Sequence, residues 1–316
     1  MAGPDLAPVA LPAKAALLIA AGLTLGFLSA CGTSQVAGNP EIASQPDHYA
    51  EIMAWRERRR TGLLKPDGWL SLVGLHWLEP GVNTIGTADT NDIILSHGPT
   101  HWGTVVLADS GIQFQAAPGI DNLINGVPGD RATLAADTSG DPTIIAYGTT
   151  QFHVLERGQF ALRVKDANAP ERLDFKGIEN FPVSSDLRIE ATFEPAAPGA
   201  TLAVGNVLNQ LNDEALYGTA VFELDGNTYR LLAVGDQDAE SLFFIFADRT
   251  NGRETYGAGR FVYTDLPSDG KLILDFNKAY NPPCVFNEFS TCPLPPPENR
   301  LAIAIRAGEK NYTPSH

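Results

Sequence analysis

The amino-acid sequence predicts an all-β protein with one short N-terminal helix, in which a β-sandwich is followed by a second β-sandwich or barrel-like lobe. From Gly68 onward, short runs of β-branched and aromatic residues alternate with turn residues about every eight to twelve positions, which is typical of sandwiches. The dipeptide Asp225-Gly226 lies between AVFEL and NTYRLLAV and is the strongest hairpin signal. No later run keeps helical periodicity beyond the length of one helix, and no repeat of fixed period occurs.

Composition and charge limit the classes of function. Of the 316 residues, 44% are hydrophobic and 19% charged, enough for one large core or two modest ones. The chain carries 37 acidic and 22 basic residues, a net charge of −15. An acidic surface repels phosphate backbones and anionic lipid headgroups, so we expect no nucleic-acid partner and membrane contact only through an anchor. The sequence has no cofactor motif, so no cofactor is expected, and it leaves the oligomeric state open.

The N-terminal segment has the pattern of a lipoprotein signal. Lys14 precedes the apolar run AALLIAAGLTLGF, and the sequence LSACG follows. About 16 apolar residues are fewer than the roughly 20 that span a membrane. We therefore predict a signal peptide at residues 1–30, lipid attachment at Cys31 and a flexible tether at residues 31–46.

Lipid attachment at Cys31 would set the location of the protein. In bacterial lipoproteins of this pattern the cysteine carries several acyl chains, palmitate among them, and several chains anchor durably. Gly32 is not the aspartate that retains many such proteins at the inner membrane. We expect an exported protein, lipid-anchored to the cell envelope and facing the periplasm from the outer membrane.

Residues 47–62 are predicted to form the single helix, with Asp47 as its N-cap. An apolar stripe is available for packing, formed by Tyr49, Ile52, Met53 and Trp55. The C-terminal half carries four arginines, namely Arg56, Arg58, Arg59 and Arg60. We expect them to complement the helix dipole and pair with the acidic body rather than to bind an anion.

The first β lobe is expected at residues 63–170. Its predicted strands are Trp69 to Val73, Val82 to Ile85, Ile93 to Leu95, Thr104 to Leu107, Ile112 to Gln115, Thr143 to Tyr147, Phe152 to Leu155 and Phe160 to Val164. Asp109-Ser110-Gly111 and Glu156-Arg157-Gly158 are predicted hairpin turns.

The second β lobe is expected at residues 171–316, after an irregular connector. Its predicted strands are Arg188 to Phe193, Thr201 to Val207, Gly218 to Leu224, Tyr229 to Val234, Leu242 to Ala247, Arg260 to Tyr263, Leu272 to Leu274 and Leu301 to Ile305.

Within the first lobe, GVNTIGTADTNDIIL and the later LINGVP resemble the forkhead-associated fold, a sandwich whose best-known members read phosphothreonine. The residues for that activity do not carry over. The family requires Arg where Thr87 stands, and its Ser-x-x-His pattern has no match at the expected spacing. The resemblance thus implies a forkhead-associated-like shape without phosphopeptide binding.

Two features suggest metal binding and are better explained otherwise. His76, His97, His101 and His153 all fall in the first lobe but lack the spacing of metal ligands, so no metal site is predicted. Asp248 to Gly252 is one residue short of a calcium-loop pattern and is predicted to be a turn in which Asp248 bonds local backbone.

A proline-rich stretch, residues 275–300, is the most informative part of the second lobe. It holds six of the 23 prolines, which exclude a helix or a central strand. Cys284 and Cys292 would form a disulfide in an oxidising compartment, closing a small ring. We expect a stiff coil that either forms the wall of a binding site or plugs one end of the lobe, with Phe286 and Phe289 as the plug.

DFNKAYNPPC, TCPLPPPENRL and TYGAGRF resemble the C-terminal signature of a bacterial and archaeal family known as domain of unknown function sixteen-eighty-four. The resemblance extends from about Trp55 to Glu309, through GWLSLVGLHWL, LRVKD, FPVSSDLRIEATF and FADRTNGRETYGAGRF. The family has no agreed activity, so the resemblance implies a domain extent and no reaction.

Glycines next to Arg260 mark a close approach by another backbone or by a ligand. A ligand pocket could be formed there by Tyr256, Arg260, Asp275, Asn277, Tyr280 and Asn281. Alternatively, Arg260 pairs with Asp275 or Asp248 beneath the coil. If the protein is an enzyme, Arg260 would bind an anion, and Asp275 or Tyr280 would act as acid or base.

Three classes of function therefore remain. The sequence favours a ligand-binding or scaffolding lipoprotein, because it carries no linear signature of a nucleophile with its base. The second class is a hydrolase or lyase acting on a small envelope-derived sugar or organic acid. The third is a purely structural envelope protein.

Overall fold

The computed structural model of the chain describes residues 46–235 and 238–313. The predicted signal peptide, Cys31 and the tether up to residue 45 lie outside these residues. Within the described ranges, no helix is both long and apolar enough to cross a membrane.

The described residues form two α-helices and eighteen strands, of which β14 is the longest strand. The helices are α1 (Pro46–Leu63) and α2 (Pro170–Leu173). The strands are β1 (Leu72–Trp77), β2 (Gly81–Gly86), β3 (Ile93–Ile94), β4 (Gly103–Ala108), β5 (Gly111–Ala116), β6 (Leu123–Ile124), β7 (Val127–Pro128), β8 (Arg131–Thr133), β9 (Ile145–Tyr147), β10 (Thr150–Glu156), β11 (Phe160–Asp166), β12 (Arg188–Pro195), β13 (Thr201–Gly205), β14 (Leu211–Leu224), β15 (Asn227–Val234), β16 (Ser241–Phe246), β17 (Arg260–Asp265) and β18 (Lys271–Asp275).

The first lobe is a sandwich of two sheets. One sheet has the strand order β1-β11-β10-β9-β6-β7, and the other has the order β3-β2-β4-β5-β8. Alternating residues of both sheets point inward around Trp102, whose ring meets Phe152 edge-on at 5.1 Å. Trp102 Nε1 donates to Asn122 Oδ1 at 2.5 Å, which satisfies the one polar atom of this buried ring.

The second lobe is one strongly curved sheet with the order β17-β16-β15-β14-β12-β18, and β13 pairs with the first half of β14. Its first and last strands approach each other, so the sheet is nearly closed into a barrel. The interior holds a group of phenylalanines, in which Phe276 contacts Phe222 and Phe246 at 5.8 and 5.4 Å. The predicted fold class, all-β with one short N-terminal helix, is confirmed.

Local turn chemistry sets the hairpins. Asp225 and Gly226 have φ of 51° and 73°, the left-handed pair that a two-residue hairpin requires, and they join β14 to β15 as predicted. Asn125 and Gly126 have φ of 49° and 80° and join β6 to β7. This second hairpin was not predicted, because its strands are only two residues long and carry no pattern.

The strand predictions are wrong at several positions. Trp69 to Ser71 forms a 3-10 turn, so β1 begins only at Leu72. Residues 301–305 form no strand, because their carbonyls accept from side chains and loops instead, as Ile303 O does from Arg249 N. The short strands β6, β7 and β8 were missed.

Helix α1 lies against the second lobe through polar contacts. Ile52 is fully buried, but Met53, part of the predicted apolar stripe, is 42% exposed. The helix begins at Pro46, so Asp47 lies in its first turn rather than at the cap. Arg59 Nε pairs with Glu309 Oε1 at 3.0 Å, which agrees with the expectation that the arginines meet acidic partners on the body.

The proline-rich coil packs against the second lobe, and its first residues include Phe276 in the interior. Cys284 and Cys292 lie at disulfide-bonding distance, as predicted, with their Cα atoms 6.2 Å apart. Gly259 has φ of 102°, and a Cβ there would come within 2.3 Å of Pro295 Cγ. The glycine therefore permits the close approach of the coil that the sequence indicated.

Candidate functional site

Most polar groups of the six predicted site residues bind protein partners in the structure, although Arg260 Nε and Asn281 Oδ1 are buried without a hydrogen bond. Arg260 is fully buried and pairs with Asp248, whose Oδ2 lies 2.6 Å from Nη2. Its guanidinium also donates to the carbonyls of Ile305, Ala307 and Glu309. This is the structural alternative that the sequence left open, and it leaves no exposed guanidinium face for a ligand.

Asp275 forms a second buried network. Its Oδ2 lies 2.8 Å from Nε2 of His48, 227 positions earlier in the chain. Its Oδ1 accepts from the backbone N and from Nδ2 of Asn277, and Asn277 in turn forms two hydrogen bonds with the backbone of Ser184. Both carboxylate oxygens of Asp275 are thus used to join α1, β18 and the connector.

Asn281 and Tyr280 hold the start of the coil. The backbone N of Asn281 donates to Glu309 Oε2 at 2.7 Å, and its Nδ2 donates to Lys310 O. The Arg59 guanidinium lies 4.6 Å from the Tyr280 ring centroid. Burial raises the pKa of Tyr280 well above 10, and the adjacent Tyr263 raises it further, so the phenol is a poor acid at neutral pH.

Tyr256 is the least constrained of the six. Its side chain is partly buried, and burial raises its pKa above 10. Its backbone O accepts from Asn251 Nδ2, which closes the turn predicted at Asp248 to Gly252. A surface cleft of about 380 Å³ lies nearby and contains none of the six predicted residues; it is lined by Glu179, Phe181, Pro182, Arg253, Glu254, Lys310 and Asn311.

The histidines weighed as metal ligands do not converge. Among the described residues, no group of three His, Cys, Asp or Glu side chains is placed to hold a metal ion. His153 is instead part of a different arrangement, on the outer face of the six-stranded sheet, which we call the basic cluster: His153, Arg163 and Lys165.

Strand register places the basic cluster. Arg163 on β11 pairs with His153 on β10 and with Leu75 on β1, so the three side chains lie in one row across the outer face. Lys165 is two residues further along β11 on the same face. The alternate residues of β11, including Leu162 and Val164, point into the sandwich core.

The outer face carrying the basic cluster is covered rather than exposed. Ala161 and Leu155, on the same face, are both fully buried. This face is covered by the turn before β1, which contains Trp69, and by the disulfide ring of the coil, residues 284–292. Arg163 Nη2 donates to Thr291 Oγ1 at 3.1 Å, and Asn287 Nδ2 donates to Trp69 O at 3.0 Å.

Arg163 has no anionic partner among the described residues. It is 6% exposed, its Nε has no hydrogen-bond partner, and its guanidinium lies 5.7 Å from the Trp69 ring centroid. Burial lowers its pKa to about 10, with a further contribution from Arg157. A desolvated cation of this kind is costly unless a counter-charge is supplied.

His153 is neutral in this environment. Burial lowers its pKa to about 4, and the positive charges of Lys165 and Arg163 lower it further. Within the described structure its ring forms no hydrogen bond. Burial also lowers the pKa of Lys165, whose Nζ donates to the backbone O of Asp67 at 2.6 Å.

Sequence reasoning missed Arg163, Lys165, Trp69 and Thr291 as site residues and weighed His153 only as a metal ligand. A signal existed in LRVKD, one of the quoted motifs. Its basic residues alternate with apolar ones, which puts two cations on one face of a strand. That this face would be covered by the coil could not be read from the local pattern.

A comparison with protein families matches most of the second lobe. Residues 173–310 match the family model described as protein of unknown function (DUF1684). Over these residues, the chain is similar to the DUF1684 family. The DUF1684 match covers the proline-rich coil and both cysteines, whereas the earlier quoted motifs GWLSLVGLHWL and LRVKD fall outside the matched range. A search of curated proteins returned no match.

Two solved structures are similar to parts of the chain. An uncharacterized protein of Haloarcula marismortui has 34% identity and a TM-score of 0.38, with 45% of this chain and 80% of that chain covered. The FHA-2 domain of an ABC transporter from Mycobacterium tuberculosis has 27% identity and a TM-score of 0.22, with 27% of this chain and 77% of that chain covered.

The first prediction concerns Arg260. Replacing Arg260 by Lys should lower the free energy of unfolding by about 3 to 5 kcal/mol, because Asp248 and three carbonyls would lose their buried donor. Denaturant titration measures this change. The control is Arg306→Lys, in an exposed pair with Glu254, which should change stability by less than about 0.5 kcal/mol. Equal effects of the two substitutions would contradict a structural role for Arg260.

The second prediction concerns pH. An unfolded histidine titrates near 6.5, whereas His153 titrates at about 4 in the folded protein. Between these values the unfolded state binds more protons, so stability falls as pH decreases, by up to about 3 kcal/mol from this residue. His153→Gln should remove that part of the pH dependence in denaturant titrations at about pH 7 and about pH 4.5. The exposed His101, changed to Gln, serves as control, and parallel pH profiles for wild type and His153→Gln would refute the assignment.

Proposed function

We propose that the protein is an exported, lipid-anchored envelope protein whose body binds a small anionic ligand between the first lobe and the proline-rich coil. The observation that carries the proposal is the buried guanidinium of Arg163, which has no carboxylate partner among the described residues. A ligand anion would supply the missing counter-charge in a region of low dielectric constant, where the interaction is strong.

The coil suits the role of a binding-site wall. Its ring is closed at Cys284 and Cys292 and stiffened by prolines on both sides, so little conformational entropy is lost when a ligand binds beneath it. Thr291, within that ring, already contacts Arg163. The coil is therefore proposed as a wall of the site rather than as a plug alone.

Binding is favoured over catalysis by the state of the three candidate catalytic residues. Arg260 is hydrogen-bonded to Asp248 and to backbone carbonyls, and Asp275 is hydrogen-bonded to His48 and Asn277. Tyr280 has a raised pKa that opposes its use as an acid at neutral pH. The basic cluster offers donors and positive charge, which suffice to bind an anion.

The proposed anchor places the binding body at the envelope. The predicted tether ends where α1 begins, and α1 is held to the second lobe by the buried pair of His48 and Asp275 and by the Arg59 pair with Glu309. A lipid chain at Cys31 would therefore hold the folded body close to the membrane surface, on the periplasmic side of the outer membrane.

The third prediction tests the anchor. Replacing Cys31 by Ala should abolish incorporation of labelled palmitate and should move the protein from the membrane fraction to the soluble exported fraction. Ser29→Ala, two residues earlier, is a matched control that should leave labelling intact. A variant lacking Cys31 that stays acylated and membrane-bound would refute the proposal.

The fourth prediction tests the binding site. Sodium succinate, phosphate or acetate, compared with sodium chloride at equal ionic strength, should raise the melting temperature of the full-length protein in non-ionic detergent. Saturation at about 100 times Kd corresponds to about 2.7 kcal/mol. Arg163→Met should lose this response and, without ligand, should be as stable as wild type or more so, since an unpaired buried charge is removed.

The control for the binding experiment is Arg131→Met, an exposed arginine on the same lobe, which should keep the response. Two results would each overturn the proposal. One is a wild-type protein that responds to none of the three anions. The other is an unchanged response in the Arg163 variant.

A further inference from the structure

The two cations of the basic cluster have no carboxylate partners among the described residues close enough for an ion pair. Arg163 and Lys165 are the two cations, and neither forms an ion pair with a described carboxylate. Arg157, next to the same sheet, does not add to the deficit, because its Nη2 pairs with Asp137 Oδ2 at 2.8 Å. Asp67 interacts with Lys165 electrostatically, but only its backbone O accepts from Nζ.

His153 adds no charge to the basic cluster at neutral pH. The surroundings keep its imidazole uncharged at neutral pH, so it offers a hydrogen-bond donor or acceptor and no charge. Thr291 on the coil side is neutral and offers a hydroxyl. The cluster thus carries two cations, both on β11, that form no ion pair with a described carboxylate.

The two cations are separated along the strand and face the same way. Residues two apart on a strand lie about 7 Å apart at their Cα atoms with side chains on one face. Both side chains are long, so their charged ends can reach two separate anionic groups or one doubly charged group placed between them. A ligand with a single negative charge would leave one of the two cations, the buried Arg163 or the half-buried Lys165, without an ion-pair partner.

We infer that the ligand of this site is a small dianion. This inference rests on the proposed anion-binding function and specifies its ligand class. Two sources share the chemistry, namely an organic dicarboxylate and a phosphate or sulfate monoester. The overall charge of −15 strengthens the requirement, since an acidic protein repels anions except where basic groups are locally concentrated.

Isothermal titration of the full-length protein in non-ionic detergent tests the inference with matched ligand pairs. Succinate is compared with succinamate, which has the same length and one charge fewer. Methyl phosphate is compared with dimethyl phosphate in the same way, at about pH 8 and constant ionic strength. Within at least one pair, the dianion should bind about tenfold more tightly or better, as expected for one additional ion pair at a half-buried site.

Single substitutions then test the role of each cation in binding. Lys165→Met should make the preferred dianion bind no better than its singly charged partner, while Arg163→Met should weaken both members of the pair. Lys176→Met, an exposed lysine outside the cluster, should leave the ratio unchanged. Melting curves without ligand confirm that each variant is folded, and Lys165→Gln is a second variant should the Met variant fold poorly.

The outcomes separate the inference from the proposed function. Affinities for dianion and monoanion that agree within about twofold in both pairs would overturn the dianion inference and leave anion binding intact. A dianion preference that persists in both Lys165 variants would also overturn it. Absence of binding by all four ligands would overturn the inference together with the proposed function.

Discussion

The buried guanidinium of Arg260 fixes the C-terminal segment, and the arrangement of the candidate site depends on that segment. Arg260 donates to the carbonyls of Ile305 and Ala307, which places the backbone that carries Glu309. The Glu309 carboxylate then accepts from Asn281 at the start of the coil and from Arg59 on α1. One buried cation thereby positions the helix and the coil, elements that are far apart in the sequence.

The coil connects the second lobe to the basic cluster of the first lobe. Because its start is fixed at Asn281 and its ring is closed by Cys284 and Cys292, the side chain of Thr291 is presented to Arg163 on the sandwich. Gly259 allows Pro295 to lie against β17, which fixes the far side of the coil. The cover over the basic cluster is therefore a rigid surface whose position is set by the second lobe.

The two buried arginines show why burial alone does not identify a site. Arg260 has a carboxylate partner and three carbonyl acceptors, so its charge is neutralised within the protein and removing it is expected to destabilise the fold. Arg163 has one hydroxyl partner and no carboxylate, so the protein itself leaves its charge uncompensated. The difference in partners, rather than in exposure, separates a framework residue from a candidate ligand-binding residue.

The sequence predicted the parts of the structure that depend on local chemistry. The turn at Asp225-Gly226 and the alternation in most strands follow from residue type, and both were found. The pairing of His48 with Asp275 joins residues 227 positions apart, and no local pattern could predict it. For the same reason, the choice of Asp248 over Asp275 as the partner of Arg260 depended on where the C-terminal segment lies.

The site shows the same division between local and tertiary information. LRVKD specifies a strand with two cations on one face, and that much could be read from the sequence. Such a face is an ordinary protein surface when it is exposed to water, and it becomes a candidate binding site only when another segment covers it. The cover is a coil from the other lobe, and it buries Arg163, while Lys165 beside it stays half-buried. In an isolated sandwich water and salt would screen such a basic face, whereas in the two-lobed protein a bound anion would be needed to supply counter-charge to the buried Arg163.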